Sequence, residues 1–285
     1  MISITSTALT HPGRVRKSNE DNMVVTERLA AVADGLGGHA AGEVASKIAV
    51  DRLRELGEIA DLHPDHIIDA IADTNRLILA AVREHPDNAG MGTTITGVAA
   101  VSLDGVEHAA VFNVGDSRTY RLVEGDFAQV SVDHSEVQEL QDSGQITAEA
   151  AVNYPRRNII TRCLGTDPAP QPDIWVFVPS ELERFVLCSD GLSGEVTDDA
   201  IAATAREHAD AETAAESLLQ QALDGGGRDN VTVIVVDLTN DDPVLVDEHG
   251  VDEHGVDEHG VDEQGLAGPG VAEQGVAGAS SPPSS

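Results

Sequence analysis

The chain has 285 residues and a formal charge of −33 at pH 7, with 50 Asp and Glu against 17 Lys and Arg. Eleven of the acids and none of the bases fall beyond residue 240, so residues 1–240 carry 39 acids, 17 bases and a charge of −22. A field of that sign repels nucleic acid and anionic membrane surfaces and gathers cations.

No stretch approaches the roughly 18 continuous apolar residues of a membrane span. The N-terminal "MISITSTALTHPGRVRK" lacks the apolar stretch of a signal peptide, and two cysteines, Cys163 and Cys188, make no disulfide framework. The sequence reads as a cytoplasmic protein. Aromatics are scarce, so Ala, Val, Leu and Ile must fill the core.

Strand-like runs open the chain at residues 2–9, 22–27 and 29–33. The last ends on Asp34 and enters "DGLGGHAAGEVAS", where Gly35-x-Gly37-x-x-Ala40 satisfies the G-x-G-x-x-[GA] pattern of a dinucleotide-binding loop. A helix is predicted over about 40–57, with Val44, Ala45, Ile48, Leu53 and Leu56 on one face. A second is predicted over 65–84, after Pro64, with Ile67, Ile68, Ile71, Ile78 and Val82 at helical spacing. "GTTITGVAAVS", "VEHAAVFNVGD", "RTYRLVEGD" and "FAQVSV" then read as strands of an antiparallel meander. Residues 133–165 are polar and partly helical. Strands resume in "IWVFVPS" and "RFVLCSD", two helices occupy about 198–224, and "NVTVIVVDL" closes the body.

From Asp241 a VDEHG pentapeptide repeats and decays into a Ser/Pro end. One apolar residue and one glycine per unit cannot offset about 1–2 kcal/mol of backbone ordering per residue. The expected organisation is a folded domain over 1–240 and a disordered acidic tail over 241–285. His249, His254 and His259 in the tail are read as part of a solvated spacer, with metal buffering as the alternative. Two long helices side by side among roughly ten strands break the βαβ alternation that a dinucleotide fold requires. The pattern favours an α+β fold of antiparallel sheets with helices outside.

Apolar strands end on an acid in "AAVADG" (Asp34), "VFNVGDSR" (Asp116) and "FVLCSDG" (Asp190), and "GGRDNVTV" places Asp229 at a strand entrance. "RKSNEDN" adds Glu20 and Asp21 just before the second strand. Each aspartate alone reads more readily as a turn or cap residue than as a ligand. Four at corresponding strand ends read as a site, because rigid ends can aim side chains at one point and glycine beside an acid admits a close ligand. Carboxylates gathered without Cys, and without His at ligand spacing, suit Mg2+ or Mn2+ rather than zinc. Without a cation they would raise one another's pKa.

The motifs "RVRKSNEDN", "ADGLGGHAAGEVAS", "MGTT", "VGDSR", "LCSDGL" and "GRDNVTV" occur in the order found in the metal-dependent protein serine/threonine phosphatases of the PP2C (PPM) family, bacterial branch, which residues 1–238 resemble. The resemblance implies two antiparallel sheets packed as a sandwich, flanked by helix pairs, with a metal centre at one end. It implies that Asp34 bridges two Mn2+ or Mg2+ ions, that the Gly35 carbonyl serves the second, and that Asp190 and Asp229 complete the first. Glu20 matches the acid that holds the second ion largely through water, and Asp21 its supporting neighbour. Asp116 matches the acid that shares a weaker third site with Asp190, and Arg16 the arginine that grips the substrate phosphate.

The implied reaction is hydrolysis of phosphoserine and phosphothreonine by direct attack of a metal-bound hydroxide. The implied partners are phosphorylated proteins, among them a Ser/Thr kinase and its substrates, met by a monomer. The sequence departs from eukaryotic members at Leu36, where they carry a histidine after the DG pair; His39 lies three residues on and reads as a helix-entry residue. Asn158 falls where some bacterial members offer a serine to the third ion. A cysteine phosphatase is excluded because neither Cys163 nor Cys188 begins C-x5-R, and a Walker NTPase because GK[ST] is absent. The non-enzyme alternative is an inactive or single-partner regulatory module of the same fold, yet Asp34, Asp190 and Asp229 are all retained.

Overall fold

The run Leu29-Ala30-Ala31-Val32-Ala33 is buried at every position, which a strand achieves only when both of its faces are covered. The computed structural model shows how; it describes residues 2–37, 41–152 and 154–241. Gly38, His39 and the tail histidines His249, His254 and His259 lie outside the described residues.

One sheet contains β2 (Asn22–Val25), β3 (Leu29–Ala33), β6 (Ile95–Leu103), β7 (Val106–Val114) and β10 (Asp173–Phe177), in the order β10-β7-β6-β3-β2. The other contains β1 (Ile2–His11), β8 (Arg118–Val123), β9 (Asp126–Gln129), β11 (Leu182–Cys188) and β12 (Val231–Asn240), in the order β1-β12-β11-β8-β9. A small ladder joins β4 (Gly35–Leu36) to β5 (Gly92–Thr93). All pairings are antiparallel. The helices are α1 (Ala41–Leu56), α2 (Pro64–Glu84), α3 (Glu136–Asp142), α4 (Ala148–Val152), α5 (Asp190–Ser193), α6 (Asp198–Glu207) and α7 (Ala211–Gly225). None is long and apolar enough to cross a membrane.

Strand alternation builds three apolar layers from this order. Ala30 and Val32 of β3 meet Phe185, Leu187, Ile234 and Val236 between the sheets. Leu29, Ala31 and Ala33 turn the other way, onto Ala45, Leu53, Ile71 and Ile78 of α1 and α2. Val231, Val233 and Val235 of β12 pack outward on Ile201, Ala214 and Leu218 of α6 and α7. Each fully buried Val, Leu or Ile contributes roughly 1.5–3 kcal/mol relative to exposure. The expected α+β sandwich with flanking helix pairs is therefore the architecture of the described body.

Two details differ from the sequence reading. The four strands after α2 are not one meander: β6–β7 and β8–β9 are hairpins of different sheets, and the chain crosses between them at residues 115–117. Gly115 makes that crossing at φ 114°, where an added Cβ would stand 2.6 Å from Thr94 Cβ. The helix faces also shift. Val44 and Ile68 are each 38% exposed, and alanines complete the buried stripes through Ala41, Ala45 and Ala49 of α1 and Ala70 of α2. Ile67 and Ile68 are adjacent, about 100° apart on a helix, so only one can face the core.

Candidate metal centre

Strand direction gathers the acids. Asn22 pairs with Ala33, which brings Glu20 and Asp21, just ahead of β2, to the end of β3 that carries Asp34. Cys188 pairs with both Val233 and Arg118, so Asp190 after β11, Asp229 before β12 and Asp116 before β8 share one end of the other sheet. Asp116 lies in the crossover between the sheets and joins the two sets.

Hydroxyl side chains beside the acids hold them in place. Asp34 N–H donates to Thr94 Oγ1 (3.1 Å), while Thr94 N–H (2.9 Å) and Thr93 Oγ1 (2.8 Å) donate to the Asp34 carbonyl. Thr94 Oγ1 also bonds Ser117 Oγ at 2.7 Å, next to Asp116. Buried Asp21 accepts at Oδ2 from Ser189 Oγ (2.8 Å) and Thr232 Oγ1 (2.7 Å). Its Oδ1, like Oδ1 of buried Asp116, is enclosed without a hydrogen-bond partner. Arg16 lies across the cluster, donating to Asp229 Oδ2 at 2.6 Å with its side chain half exposed.

Crowding of carboxyls in a dry site pushes their pKa values up. Asp34 is held well above the ordinary carboxylate range, first by burial and then by Asp21, Asp190, Asp116 and Asp229. Asp116 is raised to about 8, by burial first and then by the charges of Asp190 and Asp133. Asp21 and Asp190 are each raised to about 6, again chiefly by burial. A hydrogen bond with Asp34 and the charges of Arg16 and Arg118 restrain the rise at Asp190.

Gly35 and Glu20 meet at a second point. A Cβ added to Gly42, in the first turn of α1, would run into Glu20 Oε2 and stand 2.7 Å from the Gly35 carbonyl oxygen. A carboxylate and a carbonyl are thus drawn together where only glycine leaves room. Ser46 Oγ, one turn on, donates to the Glu20 carbonyl at 2.5 Å. Gly42→Ala is expected to weaken Mn2+ binding by at least about tenfold, the lower range for disturbing a ligand's surroundings. Isothermal titration of the variant checks this; unchanged affinity would remove Gly35 and Glu20 from the metal's surroundings.

The donor set fits a hard divalent cation. It consists of five aspartates, a glutamate and the Gly35 carbonyl, with two buried carboxylate oxygens lacking any hydrogen-bond partner, and all are oxygen donors. Among the described residues no three acid, imidazole or thiol side chains form a closed ligand cluster; what the fold supplies is proximity of like charges that a cation relieves.

The sequence reading missed the supports: Ser117 and Ser189 each adjoin a predicted acid in the chain, whereas Thr94 and Thr232 meet Asp34 and Asp21 only through the fold. For the two serines that adjacency, legible in "GDSR" and "CSDG", was the available signal. Two further groups had none. Arg118 is bound by both oxygens of Asp133 (2.7–3.0 Å) and by Asp198, beneath Asp116 and Asp190. Buried His134 accepts at Nδ1 from Gly115 N–H (3.0 Å) and pairs through Nε2 with Asp173. Leu36 is half-buried in β4, and Asn158 is exposed in a turn. Cys188 is a fully buried core residue, whereas Cys163 is half-buried.

Two antiparallel sheets between helix pairs, with carboxyl groups and one arginine gathered at a single end, define a sandwich protein with an acid cluster whose donor chemistry suits divalent cations. The sequence model of the family described as "Protein phosphatase 2C" matches residues 17–225, and the chain belongs to that family. It is 40% identical over 235 residues to the serine/threonine protein phosphatase PstP of Mycobacterium tuberculosis, covering 81% of this chain and 44% of that protein. The chain thus spans less than half the length of that relative. The serine/threonine phosphatase stp of Listeria monocytogenes is 35% identical over 239 residues, covering 80% of this chain and 93% of that one. The crystal structure of M. tuberculosis PstP aligns with a TM-score of 0.78 and 37% identity, over 84% of this chain and 100% of that chain. The PstP catalytic domain in complex with two manganese ions aligns at 0.76 and 37% identity, over the same shares of the two chains.

Proposed function

We propose that this chain is a Mn2+- or Mg2+-dependent protein phosphatase that removes phosphate from phosphoserine and phosphothreonine, opposing a bacterial Ser/Thr kinase from within the cytoplasm as a monomer. The observation that carries the reading is the convergence of Asp34, Asp190 and Asp229 beside the Glu20–Gly35 pair, with Arg16 lying over them. In this reading Asp34, Asp190 and Asp229 hold one ion. Asp34, the Gly35 carbonyl and Glu20 hold the other, supported by Asp21, and Asp116 with Asp190 offers a weaker third position. When bound, the ions supply Lewis acidity toward the phosphoryl group and a water acidic enough to ionise near neutral pH.

The protein's own groups do the positioning. Arg16 presents a planar fork to two phosphate oxygens, and its bond to Asp229 fixes it beside the acids while half of it stays open to substrate. The hydroxyls of Ser189 and Thr232 keep one oxygen of Asp21 occupied and leave the other to face the site. The acidic VDEHG-repeat segment beyond residue 241 has no part in this reading.

Mn2+-loaded full-length chain is expected to hydrolyse p-nitrophenyl phosphate and phosphothreonine peptides, and EDTA to abolish both activities until Mn2+ is restored. A purified, folded sample with no metal-restored phosphate release would sink the enzyme reading and favour the inactive module.

A further inference from the structure

The loop of residues 12–18 borders the acid cluster, and the reaction proposed above uses only Arg16 of it. One side chain closes its base. Asn230 Nδ2 donates to the carbonyls of Pro12 (3.1 Å) and Ser18 (2.8 Å), and Asn230 Oδ1 accepts from Glu20 N–H (2.9 Å). A second pin holds the flank, where Arg14 N–H donates to the Gly227 carbonyl (2.7 Å) and Arg14 Nε to the Leu223 carbonyl (2.8 Å). Gly13, at φ 77°, lets the loop lie directly on the Asp229 backbone.

The loop is therefore clamped, yet Arg14, Val15, Arg16 and Lys17 on its crest are all exposed, Val15 at 65%. A lone exposed valine needs no explanation, so the charges must carry the argument. Arg14 pairs with Asp224 and Arg16 with Asp229, and neighbouring Arg228 pairs with Glu195. Lys47, the other lysine of the chain, pairs with Asp51. Lys17 has no ion pair among the described residues. In a body of charge −22 an anionic substrate meets general repulsion, and an unpaired cation next to the phosphate-gripping arginine reverses that locally.

We propose that this loop selects among phosphoproteins, favouring a phosphoserine or phosphothreonine with a further anionic side chain beside it, which Lys17 meets while Arg16 holds the phosphate. The proposal rests on the phosphatase reading. Either an Asp or Glu or a second phosphorylated residue supplies the required anion. An exposed pair of this kind is worth up to about a fivefold preference, and its upper range of about threefold or more is reached where salt screens it weakly.

The test is kcat/KM of the Mn2+-loaded full-length chain for three phosphothreonine peptides that differ only in the adjacent residue, which is neutral, Glu or phosphoserine. At about 50 mM salt, where surface charges are weakly screened, the two anionic peptides are expected to exceed the neutral one by about threefold or more. Lys17→Glu should erase or invert that ratio, Lys17→Arg should keep it, and high salt should shrink it. A preference confined to one anionic peptide identifies the source of the charge. Equal values for all three peptides, or an unchanged ratio in Lys17→Glu, would overturn the loop's role and leave the phosphatase reading standing. Absence of Mn2+-dependent turnover on every peptide would overturn both.

Discussion

Asp34→Asn is expected to reduce Mn2+-supported phosphopeptide hydrolysis by more than about 100-fold and, in the metal-free protein at pH 8, to raise the melting temperature. The two effects have one cause. Asp34 is the acid that the four other aspartates of the site oppose: its carboxyl is raised by burial and by Asp21, Asp190, Asp116 and Asp229 together. Loss of a partner that merely supports a metal ligand costs about 10- to 100-fold, and removing an acid that would itself hold the ions should exceed that. In the metal-free state the same substitution removes an acid that is costly to bury among like charges, and the new amide can donate to the Asp190 carboxylate, which already bonds position 34. About 1 kcal/mol of relief shifts the melting temperature by roughly 2–4 °C in a domain of this size. Turnover assays and thermal melts of the metal-free variant separate this from simple misfolding, which would lower both. A variant with near-normal turnover would remove Asp34 from the centre of the site.

The second large effect is on stability against pH. Asp34, Asp116, Asp190 and Asp21 all have native values above their ordinary ones. Between the unfolded value near 4 and the native values, the folded chain binds more protons than the unfolded chain, so stability falls as pH rises. The window follows from the shifts: the loss begins above about pH 4, grows through about 6 as Asp21 and Asp190 ionise, and continues through about 8 at Asp116. Acids lowered by cation or hydrogen-bond partners, such as Asp51, Glu107 and Glu195, have already contributed their stability below pH 5. His134 runs the other way, because burial lowers its value and neutral imidazole gains stability as pH approaches 6.5. It is one group against four. The metal-free melting temperature is therefore expected to fall between pH 5 and 8.5.

Mn2+ should raise that temperature by an amount that grows with pH, since the ion competes with protons for the same oxygens. Differential scanning calorimetry across the range, with and without Mn2+, checks both statements. Repeating it in Asp34→Asn should flatten the metal-free slope. A flat or rising metal-free profile in the unsubstituted protein would mean the carboxyls are not crowded as described.

Much of this was legible in the chain itself, for identifiable reasons. The runs "LAAVA" and "VTVIVVDL" are too uniformly apolar for half-exposed strands, and paired helices without intervening strands argue against βαβ winding. Asp34, Asp116 and Asp190 could be named because each ends an apolar strand beside glycine or a small residue, and Glu20, Asp21 and Asp229 because each stands just ahead of one. Errors fell where periodicity is weak. In α1 small alanines form the buried stripe and Val44 does not, and a hydrophobic pattern ranks Val44 above Ala41.

The sequence by itself determined the layers and the all-oxygen character of the acids that cluster at the strand ends, because strand alternation, residue type and chain neighbours are local properties. Tertiary structure alone decided that Asp116 sits on a crossover linking two sheets, that Gly42 leaves space where Glu20 meets the Gly35 carbonyl, and that Asn230 clamps a loop more than 200 residues earlier in the chain. These depend on which strand ends are brought together and how closely. No local pattern encodes that, since it is set by packing contacts between segments far apart in sequence.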